Sequence, residues 1–331
     1  MHEKEPDADP AQTAPRLSFL TAGGESSTLP AVSGKAGKGV RAAVCLAAAF
    51  IAGCSGRQSA QAPGAPEQVT SFQNTGSDTL VNLALAWAER YMTLRPQVRI
   101  SVTGGGSGTG IAALINGTIQ IANASREMSR EEIAQAEKNG IEPKKFVVAL
   151  DAIAVVEKPD NPVKGLTLQQ ISDMYTGRLT RWTQVGGQDR PIVLLSRESN
   201  SGTYVYFLEQ VLRGGDAKSK ALFSPETLLM PSSEGISAEV RQNPNAIGYD
   251  GLGYVTADQK MVAVARTAAG PYVLPSARTV LDKTYPVSRP LYMYTAGEPT
   301  GLVREYLDWV RGAGQELVTD LGFVPLAGSG E

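Results

Sequence analysis

The chain has 331 residues, with 31 Lys and Arg against 33 Asp and Glu, a formal charge of -2. That balance excludes a polybasic nucleic-acid binder, while 42% hydrophobic and 19% charged residues describe a chain able to bury a sizeable core. A single histidine, His2, and two cysteines, Cys45 and Cys54, exclude a Cys/His zinc site, a His-based catalytic triad and a disulfide framework.

Residues 1–34 are polar and rich in Pro, Ala, Ser and Gly, and read as a disordered extension. Lys35, Lys38 and Arg41 then form a positive cluster, followed by an apolar run from Ala42 to Ala52 and by Gly53-Cys54. The run is too short to span a bilayer, which needs about 20 residues. A positive region, a short apolar core and a small-residue site form the layout of an export signal. Ile51-Ala52-Gly53-Cys54 resembles a bacterial lipobox, in which cleavage precedes the cysteine and that cysteine carries the lipid. On this reading 1–53 is removed, Cys54 is the lipid attachment site, and 54–67, with Pro63, Gly64 and Pro66, is a tether.

From residue 68 strand and helix signals alternate. Gln68–Phe72 reads as a strand, and Leu80–Leu94, with Trp87 and Tyr91 four apart, as a helix stopped by Pro96. Val98–Val102 alternates apolar and polar residues, a strand pattern. A helix over Gly108–Asn116 precedes a capping box at Ser129 and Glu132. Phe146–Val156 is a strand-type apolar run, and Thr167 and Gln170 form a second capping box. Further strands are expected at Ile192–Ser196, Ala246–Tyr249, Met261–Ala265 and Leu291–Thr295. Further helices are expected at Gly202–Leu212, Ile236–Arg241 and Pro299–Val310. Such alternation argues for parallel sheets covered by helices, and the length suggests two α/β lobes.

Three segments share a strand, a Gly/Ser/Thr turn and a helix: Thr75–Thr79, Gly104–Gly110 and Ser199–Thr203. A helix N-terminus offers unpaired N–H groups and partial positive charge, glycines admit an anion to the backbone, and hydroxyls add donors. One such turn is an ordinary helix cap. Three of them, with Arg197 four residues before Ser201, point to an oxyanion site. No Lys follows the glycines as a P-loop requires. Gly108-x-Gly110-x-x-Ala113 matches the relaxed dinucleotide fingerprint, with Glu131 and Glu132 downstream, but follows extra loop rather than a strand end.

At this point the chain resembles the phosphate-binding lipoproteins that serve ABC phosphate importers. The resembling stretches include Gly76–Leu80, Gly104–Gly110, Ile121–Arg126, Asp151–Val155, Tyr175-Thr176-Gly177 with Trp182, Arg197–Tyr204, Ala246–Tyr249, Tyr285–Tyr292 and Gly322–Leu326, in order along about 70–326. The resemblance implies the two-lobed periplasmic-binding-protein fold (type II), each lobe a mainly parallel α/β sheet flanked by helices, with ligand in the cleft between. It implies a discontinuous first lobe, 68–153 with 256–331, and a second lobe, 154–255. Asp78 and Thr79 match the family's first binding loop, Ser107 the serine of its glycine loop, Arg197 its charge-pairing arginine, and Ser201, Gly202 and Thr203 its helix-capping donors. Ser125 stands where many members place an aspartate that accepts the phosphate proton, and the family often has Thr where Asp78 stands. Asp78 is therefore expected to take the acceptor role, with a plain N-cap carboxylate as its bland alternative. Asp151 is a third candidate, or a partner for Arg197. Arg126 is either rim charge or solvated, and Gln120 is structural.

The implied function is capture of inorganic phosphate outside the cytoplasmic membrane and delivery to the permease of an ABC importer. The protein would be a lipid-anchored monomer at the cell envelope, without cofactor, metal or nucleic-acid partner. Another tetrahedral oxyanion, sulfate or molybdate, is the alternative ligand. An esterase or phosphatase using Ser107 or Ser201 lacks a neighbouring His or Lys to activate either serine.

Overall fold

The structure is a computed structural model that describes residues 70–326; the expected export signal, Cys54 and the expected tether lie outside the described residues. In chain order the first half comprises β1 (Thr70–Gly76), α1 (Asp78–Leu94), β2 (Val98–Thr103), α2 (Ser107–Ile115), β3 (Ile121–Ala124), α3 (Arg130–Lys138), β4 (Lys144–Glu157), β5 (Gly165–Thr167) and α4 (Leu168–Tyr175). The second half comprises β6 (Val193–Arg197), α5 (Gly202–Phe207), β7 (Leu228–Met230), α6 (Ser233–Gln242), β8 (Ala246–Gly251), β9 (Lys260–Met261), β10 (Ala263–Ala265), α7 (Ala277–Leu281), β11 (Ser288–Thr295), α8 (Gly301–Arg311) and α9 (Glu316–Asp320). Among the described residues no helix is long and apolar enough to cross a membrane.

Local chemistry sets these elements. In α1 the buried residues Leu80, Leu83, Ala84, Trp87, Ala88 and Tyr91 recur at helical spacing, and the helix ends just before Arg95-Pro96. Trp87 donates its indole N–H to the Gly314 carbonyl at 2.7 Å, which ties α1 to the far end of the chain. Both expected capping boxes form, at Ser129 with Glu132 and at Thr167 with Gln170. The helix expected over 202–212 is α5 followed by a π-helical turn at Leu208–Leu212. The strand expected over 261–265 divides: β9 pairs with β4, and β10 with β5.

Nine strands form one sheet, in the order β2-β1-β3-β11-β4-β8-β6-β7 with β9 beside β4. The outer pairs β1–β2, β1–β3, β6–β8 and β6–β7 are parallel, and the intervening helices supply the crossovers that parallel neighbours need. The two central strands break that pattern. β11 is antiparallel to β3 and β4, and β4 is antiparallel to β8.

β4 is shared by two hydrophobic cores. Val148 and Ala149 pack with Leu80, Trp87, Leu291 and Tyr306, whereas Ala152, Ile153 and Val155 pack with Tyr175, Trp182, Phe207 and Tyr249. Val262, Val264, Val280, Tyr285 and Val287 also join the second core. The resemblance had assigned that stretch to the first lobe. β10 pairs with β5, and the Tyr285 hydroxyl donates to the Ile153 carbonyl at 2.8 Å, which draws the stretch to the second core.

Glu157 ends β4 with a fully buried side chain 2.7 Å from Lys260 Nζ. Burial pushes its carboxyl from 4.5 up to about 7, against the pull of Lys260. The folded chain therefore holds this proton more tightly than the unfolded chain. The resulting stability is complete below about pH 4.5 and is lost as pH rises through about 7. Between about pH 5 and about pH 8, urea unfolding should show the wild-type protein losing about 2 kcal/mol more than Glu157→Gln. Equal losses in the two proteins would contradict this assignment.

Candidate functional site

Each of the three Gly/Ser/Thr turns opens a helix after a strand or its following loop, and two of their glycines are there by necessity. Gly76, at the end of β1, has φ +142°, and a Cβ there would sit 2.2 Å from the Asn123 carbonyl oxygen. This close approach lets the Ser77 N–H donate to that oxygen at 2.9 Å, which fixes the start of α1 against β3. Gly202 opens α5, and a Cβ there would meet Ser107 Oγ at 2.3 Å and Ser125 Oγ at 2.6 Å. Only glycine brings the 201–203 turn this near to the two serines.

The hydroxyls meet directly. Thr79 Oγ1 and Thr203 Oγ1 lie 2.7 Å apart, and Ser107 Oγ and Ser125 Oγ 3.3 Å apart. The Ser125 N–H donates to Ser107 Oγ at 3.0 Å. All four side chains are buried, so these groups are shielded from bulk water. The fold thus joins α1, α2, the end of β3 and α5 at one point. Ser201 stands apart in role: its Oγ accepts from the Thr203 and Tyr204 N–H groups and caps α5.

Arg289 holds this cluster from beneath. It is the cross-strand partner of Asp151 on the β11–β4 ladder. Its Nε and Nη2 donate to Asp151 Oδ2 at 3.2 and 3.0 Å, its Nη2 also to Thr203 Oγ1 at 2.9 Å, and its Nη1 to the Ser125 carbonyl at 2.9 Å. The other oxygen of Asp151 accepts from the Leu252 N–H at 3.1 Å. Burial pushes the Asp151 carboxyl up and the Arg289 guanidinium pulls it down. Asp151 is thus the partner of Arg289, not of Arg197 as one sequence reading allowed. Sequence reasoning passed over Arg289 because its partners Ser125, Asp151 and Thr203 lie 164, 138 and 86 residues away in the chain. The one available signal was its place inside a resembling stretch.

Arg197, at the end of β6, is equally buried, at 1% exposure. Its Nη1 donates to Ser233 Oγ at 2.8 Å and its Nη2 to the Pro231 carbonyl at 3.0 Å, with Asp78 Oδ2 also 3.0 Å from Nη2. Its nitrogens are therefore engaged by protein groups. Asp78 is the first residue of α1 and does not cap it; Ser77 holds the cap position, without a side-chain bond. The Asp78 carboxylate reaches across to α6 instead, where its Oδ2 accepts the Ser233 N–H at 2.8 Å. Oδ1 faces Gly104, whose Cβ position lies 3.7 Å away. Asp250, on β8, completes this layer. Burial pushes its carboxyl up to about 7 while Arg197 pulls it down, and its Oδ2 is buried without a partner.

Two rim residues are engaged elsewhere. Arg126 grips Glu132 through Nη1 and Nη2, each at 2.7 Å. Gln120 Oε1 accepts the Gln73 N–H at 2.9 Å and links β1 to the approach of β3.

Known proteins share this architecture. The PBP superfamily domain matches residues 60–312. The phosphate-binding protein PstS of Pseudomonas aeruginosa is 36% identical over 304 residues, covering 84% of this chain and 92% of that protein. PstS of Bacillus subtilis is 32% identical over 270 residues, covering 80% and 84%. Among solved structures, a phosphate ABC transporter substrate-binding protein of Clostridium perfringens with bound phosphate superposes with a TM-score of 0.69 at 33% identity, covering 78% of this chain and all of that one. An ABC-type phosphate transport receptor of Vibrio cholerae gives 0.62 at 25% identity, covering 77% of this chain and all of that one. The chain has the two-lobed fold of periplasmic binding proteins and belongs to the PBP superfamily, in the family of the PstS proteins.

Proposed function

We propose that this protein binds inorganic phosphate outside the cytoplasmic membrane and delivers it to an ABC-type importer. The observation that carries the reading is the meeting of four buried hydroxyls, from Thr79, Ser107 and Thr203 at the starts of α1, α2 and α5 and from Ser125 just past the end of β3. Hydroxyls and helix N-termini suit an anion that needs many short donors in a dry site. The names of the relatives and the bound phosphate of the Clostridium perfringens protein support the same ligand. The site residues of the proposal are Asp78, Thr79, Ser107, Ser125, Arg197, Ser201, Gly202 and Thr203, with Arg289 and Asp151 added as the pair that positions them.

The roles divide by geometry. Thr79, Ser107, Ser125 and Thr203 turn from one another to the anion oxygens, joined by the Gly202 N–H, since the Ser201 and Thr203 N–H groups are held by the Glu198 carbonyl and by Ser201 Oγ. Ser201 acts through its cap on α5. Arg197 acts through Asp78, whose Oδ2 it holds while Oδ1 accepts the proton that phosphate retains at neutral pH. Binding and release require no nucleophile or base, so the protein works as a carrier rather than an enzyme. The lobes of this proposal divide between Ala149 and Ala152 and near Val287–Ser288, following the two cores. Calorimetry of the purified protein against phosphate, sulfate and molybdate tests the ligand. Tight phosphate binding with weak sulfate binding is expected; preference for sulfate or molybdate would overturn the assignment.

Selectivity should rest on Asp78. Phosphate offers a proton to a carboxylate, and sulfate, which has none, is repelled by it. In Asp78→Asn the phosphate-over-sulfate ratio should fall tenfold or more, a discrimination of about 1.4 kcal/mol. Overall affinity will fall as well, because Arg197 and the Ser233 N–H lose their charged partner, so the ratio is the readout. A ratio unchanged in Asp78→Asn but collapsed in Asp151→Asn would assign the acceptor to Asp151.

The envelope anchor of the proposal is Cys54. Cys54→Ser should leave the protein soluble or with an uncut signal, as cell fractionation and intact mass would record. One acyl chain binds membranes only marginally, so anchoring needs more than one. Membrane retention of a correctly cleaved Cys54→Ser variant would rule the lipid anchor out.

A further inference from the structure

A cavity away from the hydroxyl cluster is also lined by Arg289. It measures about 320 Å³ and is bordered by Leu150 of β4, the start of β11, and the connection that carries α7. Arg266, Lys283 and Arg289 all line it, and no Asp or Glu does. Arg289 is spent on Asp151, Thr203 and Ser125. Arg266 and Lys283 are exposed, and their side chains take part in none of the ion pairs or hydrogen bonds among the described residues. Two unpaired cations therefore face one concave surface.

The backbone holds Lys283 at this edge. Its φ of 60° makes it the one non-glycine residue with positive φ among the described residues. It follows the Asp282 cap of α7, a position where Gly or Asn is the ordinary choice. The left-handed turn bends the chain at the cavity edge, and a side chain with a charged tip occupies the place of a glycine. The remaining wall is mostly apolar, from Val280, Pro286, Pro290 and Leu150, with Tyr285 and Ser288 beside them. The volume falls at the lower end of small-molecule sites, about 300–1,000 Å³, which is more room than one tetrahedral anion fills.

We propose that this cavity is a second anion site that takes a phosphate monoester, its dianionic head between Arg266 and Lys283 and its organic body against Val280, Pro286 and Pro290. The site is separate from the hydroxyl cluster but shares Arg289 with it. An occupant therefore adds negative charge beside the guanidinium that positions Thr203 and Ser125.

The test saturates the purified full-length protein with inorganic phosphate and then titrates it with phenyl phosphate. More inorganic phosphate goes into a parallel sample. Both are read by calorimetry and by the amide shifts of Lys283 and Thr284. Phenyl phosphate should show a saturable event in the millimolar range, weakened roughly tenfold in Arg266→Ala/Lys283→Ala, while the first phosphate step is unchanged. Both residues are exposed, so the double variant should keep the wild-type melting temperature. Absence of a saturable event with phenyl phosphate, or an event that survives the double substitution, would overturn the site. Equally strong binding of inorganic phosphate there would contradict the monoester.

Discussion

The ion pair between Asp151 and Arg289 is the interaction on which the rest of the site depends. Both side chains are almost wholly buried, at 0% and 3% exposure. Removing one partner of such a pair leaves an uncompensated buried charge and costs about 3–5 kcal/mol. The pair is fixed by register, since the two residues face each other across β4 and β11. From that fixed point the guanidinium reaches Ser125, just past the end of β3, and Thr203 in the first turn of α5. Three chain segments far apart in sequence are thereby set within hydrogen-bond distance of one guanidinium.

A second pair, Arg197 with Asp78, does the same on the α6 side of the sheet, where Ser233 joins both residues. Around the proposed cradle two guanidiniums stand against three carboxyls, one of which, Asp250, titrates near pH 7. The buried cluster is thus close to neutral. An anion held there would owe its affinity to hydroxyl and N–H donors rather than to excess positive charge. That arrangement favours discrimination by the pattern of donors and acceptors, because a wrong anion leaves a buried group unpaired.

Much of this was legible in the sequence because it depends on local signals. The capping boxes at Ser129 and Thr167, the apolar spacing of α1 and the three Gly/Ser/Thr turns are all properties of short windows. β3 was not legible as a strand: Ile121-Ala122-Asn123-Ala124 is buried on both faces and shows no alternation. The antiparallel direction of β11 departs from the parallel sheets that the alternation suggests, because it is set by pairing with β3 and β4, which no local window contains. The site showed the same division. Residues in turns were found, whereas Arg289 and Asp250 sit within strands and acquire meaning only from partners far away in sequence. Asp78 was singled out by its turn, and the bland reading of it as a cap of its own helix does not hold. Its carboxylate serves α6, 155 residues away, a contact no local window contains.

The most direct measurement is a crystal structure of the protein grown with phosphate. The account predicts one phosphate ion contacted by the hydroxyls of Thr79, Ser107, Ser125 and Thr203. Arg289 should still bridge Asp151 to the Ser125 carbonyl, and Asp78 Oδ1 should lie within hydrogen-bond distance of a phosphate oxygen. A phosphate bound away from these hydroxyls, or an Arg289 that leaves Asp151 to meet it, would contradict the account.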